Sequence, residues 1–210
     1  MNNRVVIFLF FLSVVLISCE KDEPSTGPTS TLPDGATPFT EEDIQFVPYN
    51  SGNRVFSTLP DLDSSMTLTF RERVRSEDYF AWDQTFFQYG DDANLELELR
   101  LRYLQSDASK KTLAMYFPYY DNGGTLRENL FEVPVTSEGI ETGFFQNIVE
   151  FHDTLVLNSI EFYDVFEIEE LVSTDADKDG PTNNARVFYN KTHGLLQMKQ
   201  RDGTRWMLQF

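Results

Sequence analysis

One run of this chain constrains its fold more than any other. Leu95-Glu96-Leu97-Glu98-Leu99-Arg100-Leu101-Arg102-Tyr103 alternates apolar and charged residues without a fault. Successive side chains of a β-strand point to opposite faces, so this period puts every leucine on one side and every charge on the other. A helix would scatter the same leucines around its circumference. The run predicts a strand of an antiparallel sheet, with one face in a core and the other in water. Met66 to Arg75 repeats the pattern in part, with Leu68, Phe70 and Val74 set against Thr67, Thr69, Arg71, Arg73 and Arg75. If these two strands pair, their arginines meet Glu96 and Glu98, and cross-strand ion pairs of that kind contribute about 0.2–1 kcal/mol.

Further strand signals follow along the chain. Thr112 to Phe117 is apolar and aromatic and stops at Pro118, and Asp121-Asn122-Gly123-Gly124 is a turn signal. Phe131 to Val135 is a short strand that Pro134 assigns to an edge. Thr154 to Leu157 and Ile160 to Val172 are rich in β-branched and aromatic residues, with Asn158-Ser159 as a tight turn between them. Arg186 to Tyr189, Leu195 to Arg201 and Thr204 to Phe210 read as three strands, with Asp202-Gly203 as a two-residue hairpin turn. In the last of these, Trp206, Leu208 and Phe210 share a face, which Leu196 and Met198 are placed to oppose. Helix signals are few: Ser76-Glu77-Asp78 caps at most one short turn before the aromatic cluster Tyr79, Phe80, Trp82, Phe86 and Phe87. The fold class expected is all-β, a single antiparallel sheet or meander. A strongly curved half-barrel and a sandwich both stay open.

The first residues give an address. Arg4 and the amino terminus precede an apolar stretch, Val5 to Ile17, interrupted only by Ser13. It is too short for a bilayer core of ~30 Å, which takes about 20 residues, and it fits a secretory leader. Leu16-Ile17-Ser18-Cys19 closes it with the only cysteine of the chain. This ending resembles a bacterial lipobox. The resemblance implies a signal peptide over 1–18, cleavage before Cys19, and acyl chains (palmitate or its like) on that residue. Two or more chains anchor a protein stably to a membrane where one does not. Glu20-Lys21-Asp22-Glu23 then resembles the surface-export signal of Bacteroidota-type lipoproteins and implies the outer membrane, on its cell-surface face. Residues 19–38 hold Pro24, Pro28, Pro33 and Pro38 with few apolar side chains, the composition of a disordered stalk. The β domain is expected over 39–210.

Phe188-Tyr189-Asn190-Lys191, His193-Gly194-Leu195-Leu196, Asp202-Gly203 and Trp206-Met207-Leu208 together resemble the closing motif of small Bacteroidota outer-membrane and surface lipoproteins. Phe46-Val47-Pro48-Tyr49 with Gly52, and Tyr163-Asp164-Val165-Phe166, resemble the opening and middle motifs of the same group. The resemblance implies a shared β fold and a cell-envelope address, and it carries over no catalytic residue.

Composition excludes several functions. A net charge of −17 repels phosphate backbones, which argues against nucleic acid as a partner. With no cysteine after Cys19, disulfides and thiol catalysis are ruled out of the mature domain. The two histidines, His152 and His193, stand in no zinc-protease or hydrolase motif. No catalytic set emerges, and none is expected. One metal candidate does: Asp175, Asp177 and Asp179 with Gly180 match the first half of an EF-hand loop, whose oxygens collect calcium. Arg186 stands where a bidentate Glu should close the shell, so any calcium site there is weak. No other cofactor is indicated. The expected role is a non-catalytic binding or structural lipoprotein of the envelope. The alternative is a periplasmic or outer-membrane carrier of lipid or another hydrophobic ligand, its 19 phenylalanines lining a curved sheet.

Overall fold

The structure, a computed structural model, describes residues 32–76, 81–104, 106–136, 139–140, 147–170 and 184–210. Cys19, the leader, most of the stalk, the Asp175–Gly180 loop and the 77–80 stretch lie outside the described residues.

The chain is all-β. After a single helical turn, α1 (Glu41–Ile44), the first strands are β1 (Asn53–Leu59), β2 (Ser65–Arg75), β3 (Asp83–Tyr89), β4 (Asp92–Leu104), β5 (Asp107–Tyr120), β6 (Leu126–Thr136) and the two-residue β7 (Gly139–Ile140). They are followed by β8 (Asn147–Leu157), β9 (Ile160–Glu170), β10 (Asn184–Asn190), β11 (Gly194–Gln200) and β12 (Arg205–Leu208). All belong to one sheet of order β7-β6-β5-β4-β3-β2-β1-β12-β11-β10-β9-β8, antiparallel at every pairing. Two meanders thus leave a central pair, β1 and β12, and the sheet is nearly closed into a barrel. Its two ends approach each other at β6. Asn147 Nδ2 donates to Glu132 O at 2.9 Å, and Asn129 Nδ2 donates to Asn184 O at 2.6 Å. Side-chain amides therefore bridge the seam there.

The alternation read from β4 holds. Leu97, Leu99 and Leu101 are buried in the concave core with Leu113, Met115, Phe117, Phe131 and Val133, while Glu96, Glu98, Arg100 and Arg102 face outward. β2 and β4 are not neighbours, however. β3 lies between them, and Arg71 Nη1 reaches past it to Glu96 Oε2 at 2.9 Å. A single-sequence pattern cannot register an intervening strand whose own alternation, Asp83 to Tyr89, is masked by Asp83 and Thr85 on the buried side.

Several local expectations also shift. β5 continues through Pro118, which pairs with Glu128, and Pro134 is buried inside β6 opposite Thr112, second from the sheet end. Asn158 and Ser159 both take positive φ, +47° and +67°, as a two-residue hairpin turn requires. The Asp202-Gly203 connection is one residue longer than expected. Gln200 N donates to Thr204 O at 2.8 Å across three residues, only Gly203 of the three has positive φ, and Asp202 Oδ1 accepts from Thr204 N. Leu196 leaves the face expected of it. A bulge sets Phe188 opposite Gln197 and Tyr189 opposite Leu195, so Leu196 turns to the outer side while Met198 stays inside. Phe210 lies beyond β12 and is exposed.

Residues 32–50 cross the concave side. Thr40 caps α1 reciprocally with Asp43, forming a capping box. Leu32 and Ala36 pack against the core, and Thr37 O accepts from Tyr103 Oη at 3.1 Å. Phe39 rests on Trp82 and Tyr103, with ring centroids 5.6 and 4.6 Å away. Lys111 Nζ reaches Asp43 Oδ2 at 2.6 Å and Pro38 O at 2.9 Å. Phe46, Val47 and Tyr49 are buried in the same core as the inward leucines of β4. Full burial of such a side chain stabilises by about 1.5–3 kcal/mol. The chain's own N-terminal segment therefore fills the hollow of the sheet.

Candidate functional site

The three short motifs of the sequence meet in space. Tyr189 of β10 donates its hydroxyl to Phe46 O, and Leu195 N of β11 donates to Tyr49 Oη at 2.5 Å. Lys191 Nζ sits 4.0 Å from the centroid of the Phe46 ring. Gly194 has φ +77°, and a Cβ built there would lie 2.0 Å from Tyr49 Oη. Only glycine both adopts that conformation cheaply and leaves room for the ring. Asn190 Nδ2 donates to Tyr163 O at 3.2 Å, joining the middle motif to the closing one. Burial pushes the Tyr49 hydroxyl well above its ordinary range, and that of Tyr189 likewise. Both stay protonated as hydrogen-bonding groups. This convergence is a packing device: it locks the inner segment to the β10–β11 turn.

An interior ion pair supports the same segment. Asp83, fully buried, receives Arg73 Nε at 2.8 Å and Arg73 Nη2 at 2.5 Å. Arg73 Nη1 also donates to Tyr49 O at 3.3 Å. The hydrogen bonds that Arg73 donates to Asp83 raise the guanidinium pKa further, against the opposing effect of burial.

Surface chemistry collects on the outer face of β3–β6. Arg100 forks onto Glu98 with two contacts of 2.5 Å, and Arg102 holds Glu132 Oε1 through Nε at 3.0 Å and Nη2 at 2.9 Å. Tyr116 lies beneath both guanidinium groups, 4.5 Å from that of Arg100 and 5.6 Å from that of Arg102, and its hydroxyl accepts from Arg102 at 2.6 Å. Thr112 completes Glu132 at 2.9 Å. Next to this satisfied network is a cleft of about 390 Å³, walled by Glu96, Glu98 and Glu128 with Phe86, Pro118 and Leu126, and closed by Asn94 and Arg127. Burial lifts the Glu96 carboxyl above its ordinary range; Arg71 opposes the shift, and Glu98 and Glu72 add to it by repulsion. Glu96 Oε1 is buried with no hydrogen-bond partner. Glu128 shifts upward by burial too, with Arg100 opposing and Glu98 reinforcing. A wall of acceptors beside an apolar ring suits a ligand rich in donors, such as an ammonium or polyhydroxyl group.

A second depression of about 350 Å³ lies at the end of β1 and β12, lined by Asn53, Arg54, Val55, Thr192, His193 and Phe210 among others. The His193 ring stands edge-on to Phe210 at 5.1 Å. Burial, and then the charge of Arg54, lower the His193 pKa, which keeps the imidazole neutral at physiological pH. His152 lies two strands away, on β8, with Nε2 3.0 Å from Glu167 Oε2 of β9.

Of the residues singled out in the sequence, Cys19, Asp175, Asp177 and Asp179 lie outside the described residues. The alternation of β4 puts Glu96 and Glu98 on a charged outer face but does not reveal the cleft on β3–β6. Its remaining wall comes from β3, β5 and β6, whose adjacency no local pattern encodes. No protein-family model, curated protein or solved structure matches the chain.

Proposed function

We propose that this is a lipid-anchored lipoprotein of the outer membrane, tethered through Cys19 and facing the cell surface, whose β domain is a non-catalytic binding or structural module. One observation carries the choice over a lipid carrier. Phe39, Phe46, Val47 and Tyr49 occupy the concave side of the sheet, where a carrier would hold its ligand. Ligand contact is then external, and the acidic, aromatic-edged cleft of β3–β6 is the binding face that fits this reading. A net charge of −17 supports cationic or neutral partners over nucleic acid.

Solvent extraction of the purified full chain followed by mass spectrometry tests the choice. The expected result is no lipid beyond the acyl groups covalently held at Cys19. A stoichiometric, extractable lipid restores the carrier reading. The anchor is tested separately by Cys19→Ala, which should leave the protein unprocessed or release it from the membrane fraction; a variant that is cleaved normally and still fractionates with membranes overturns the anchor.

A further inference from the structure

We propose that Glu150, His152 and Glu167 form a site for a borderline divalent metal ion of the Zn²⁺ class, on the outer face of the β8–β9 hairpin. The sheet assembles the set. Glu150 and His152 are two residues apart on β8 and so share a face, and Glu167 stands directly opposite Glu150 on β9. One ligand atom from each residue lies within 4.8 Å of the other two. Zinc bonds nitrogen and oxygen at about 2.0–2.2 Å, so neighbouring ligands of a tetrahedral ion sit ~3.3 Å apart. The His152 Nε2 to Glu167 Oε2 separation of 3.0 Å is already within a few tenths of that edge.

The neighbours orient the set. Arg186 of β10 donates to Glu167 Oε1, leaving Oε2 aimed at His152, and is itself held by Glu169 Oε2 at 2.6 Å. Partners of this kind, one bond removed from the metal, fix ligand orientation. His152 and Glu167 are half-buried, whereas Glu150 is exposed, so the fourth position opens to solvent. An imidazole nitrogen with two carboxylates selects zinc-like ions over calcium or magnesium, which favour all-oxygen shells. The site is thus chemically distinct from the oxygen-only loop at 175–180. An ordinary His152–Glu167 hydrogen bond would need no Glu150, and the test turns on that residue.

The experiment is a Zn²⁺ titration of the full chain in detergent with ¹⁵N-labelled histidine. The chain has two histidines, so each imidazole reports separately. The expected result is saturable, one-to-one binding that shifts His152 and leaves His193 in place. Glu150→Gln should weaken it by at least the roughly 10–100-fold that loss of an outer partner alone costs. Glu150 is exposed, so this variant retains the fold, and His152→Ala should abolish the response. Three outcomes overturn the proposal: no binding at millimolar Zn²⁺, equal and unsaturable shifts at both histidines, or unchanged affinity in Glu150→Gln.

Discussion

The two arms of the sheet that leave the β1–β12 pair treat their outer faces differently: the second is charged at Glu167, Glu169 and Arg186 but apolar elsewhere. On β2–β6 the outer face is polar: Arg71 meets Glu96, Arg100 meets Glu98, and Arg102 meets Glu132 over Tyr116. On β9–β12 the same face carries a second apolar cluster, in which Val165, Phe188, Leu196 and Met207 are buried apart from the main core. A strand with one wet face must alternate, whereas a strand buried on both faces has no reason to. The difference shows how far hydrophobic patterning reads: it locates strands in both arms and assigns faces only in the first.

The largest expected effect breaks this comparison most simply. Leu99→Ala in the first arm and Leu196→Ala in the second should each cost about 2–5 kcal/mol in chemical denaturation, because both empty a filled core. If the outer face of the second arm were merely solvated, Leu196→Ala would change stability by less than about 0.5 kcal/mol.

Next come the ion pairs of the first arm. Glu132 is buried and holds Arg102 and Thr112, so Glu132→Ala should cost about 3 kcal/mol by stranding them. Arg71 is half exposed, and Arg71→Ala should cost no more than about 1 kcal/mol and lose even that in high salt. Equal costs for the two would mean that depth does not grade the outer network.

Glycines of the second arm sharpen the contrast between turn and core. Gly203 has φ +92° with open space around it, so Gly203→Ala should cost only about 1 kcal/mol of backbone strain. Gly194→Ala adds a collision with Tyr49 to comparable strain and should cost more than about 2 kcal/mol. Matching melting temperatures for the two variants would show that Tyr49 does not pack on Gly194.

The smallest effects appear with pH. Burial raises the Glu96 carboxyl, and Arg71 only partly opposes this. A carboxyl whose folded pKa is raised opposes folding at neutral pH, and that cost is relieved as pH falls through the raised value toward 4.5. Burial would raise Asp43 too, but hydrogen bonds from Lys111 and Thr40 outweigh it and lower its pKa. Its contribution is complete above 3.8 and is lost as pH falls below that, through its folded value. Thermal melts should find Glu96→Gln stabilising at neutral pH and without effect in acid. Asp43→Asn should destabilise at neutral pH and converge on the parent chain in acid.

What the sequence made legible follows from the same physics. The period of β4, the Asn158-Ser159 turn and the all-β class come from local chemistry and stand in the structure. The neighbour of β2, the bulge that turns Leu196 outward and the course of residues 32–50 depend on contacts distant in sequence. The cleft of β3–β6 was half legible, since Glu96 and Glu98 were visible as an outer face while Phe86, Pro118 and Glu128 come from three other strands. Asp43 and Lys111, or Tyr49 and Gly194, carry no shared local pattern. The opening, middle and closing motifs meet at Tyr49, Tyr163 and Gly194, which gives them a physical reason.

The filling of the sheet's hollow by its own N-terminal segment is the central claim, and hydrogen exchange at one amide tests it. Leu195 N is held by Tyr49 Oη, so it should be strongly protected in the native chain. In Tyr49→Phe its exchange should accelerate well beyond that of Met198 on the same strand. A Leu195 amide that exchanges at the same rate in both proteins would place Tyr49 elsewhere and leave the hollow open.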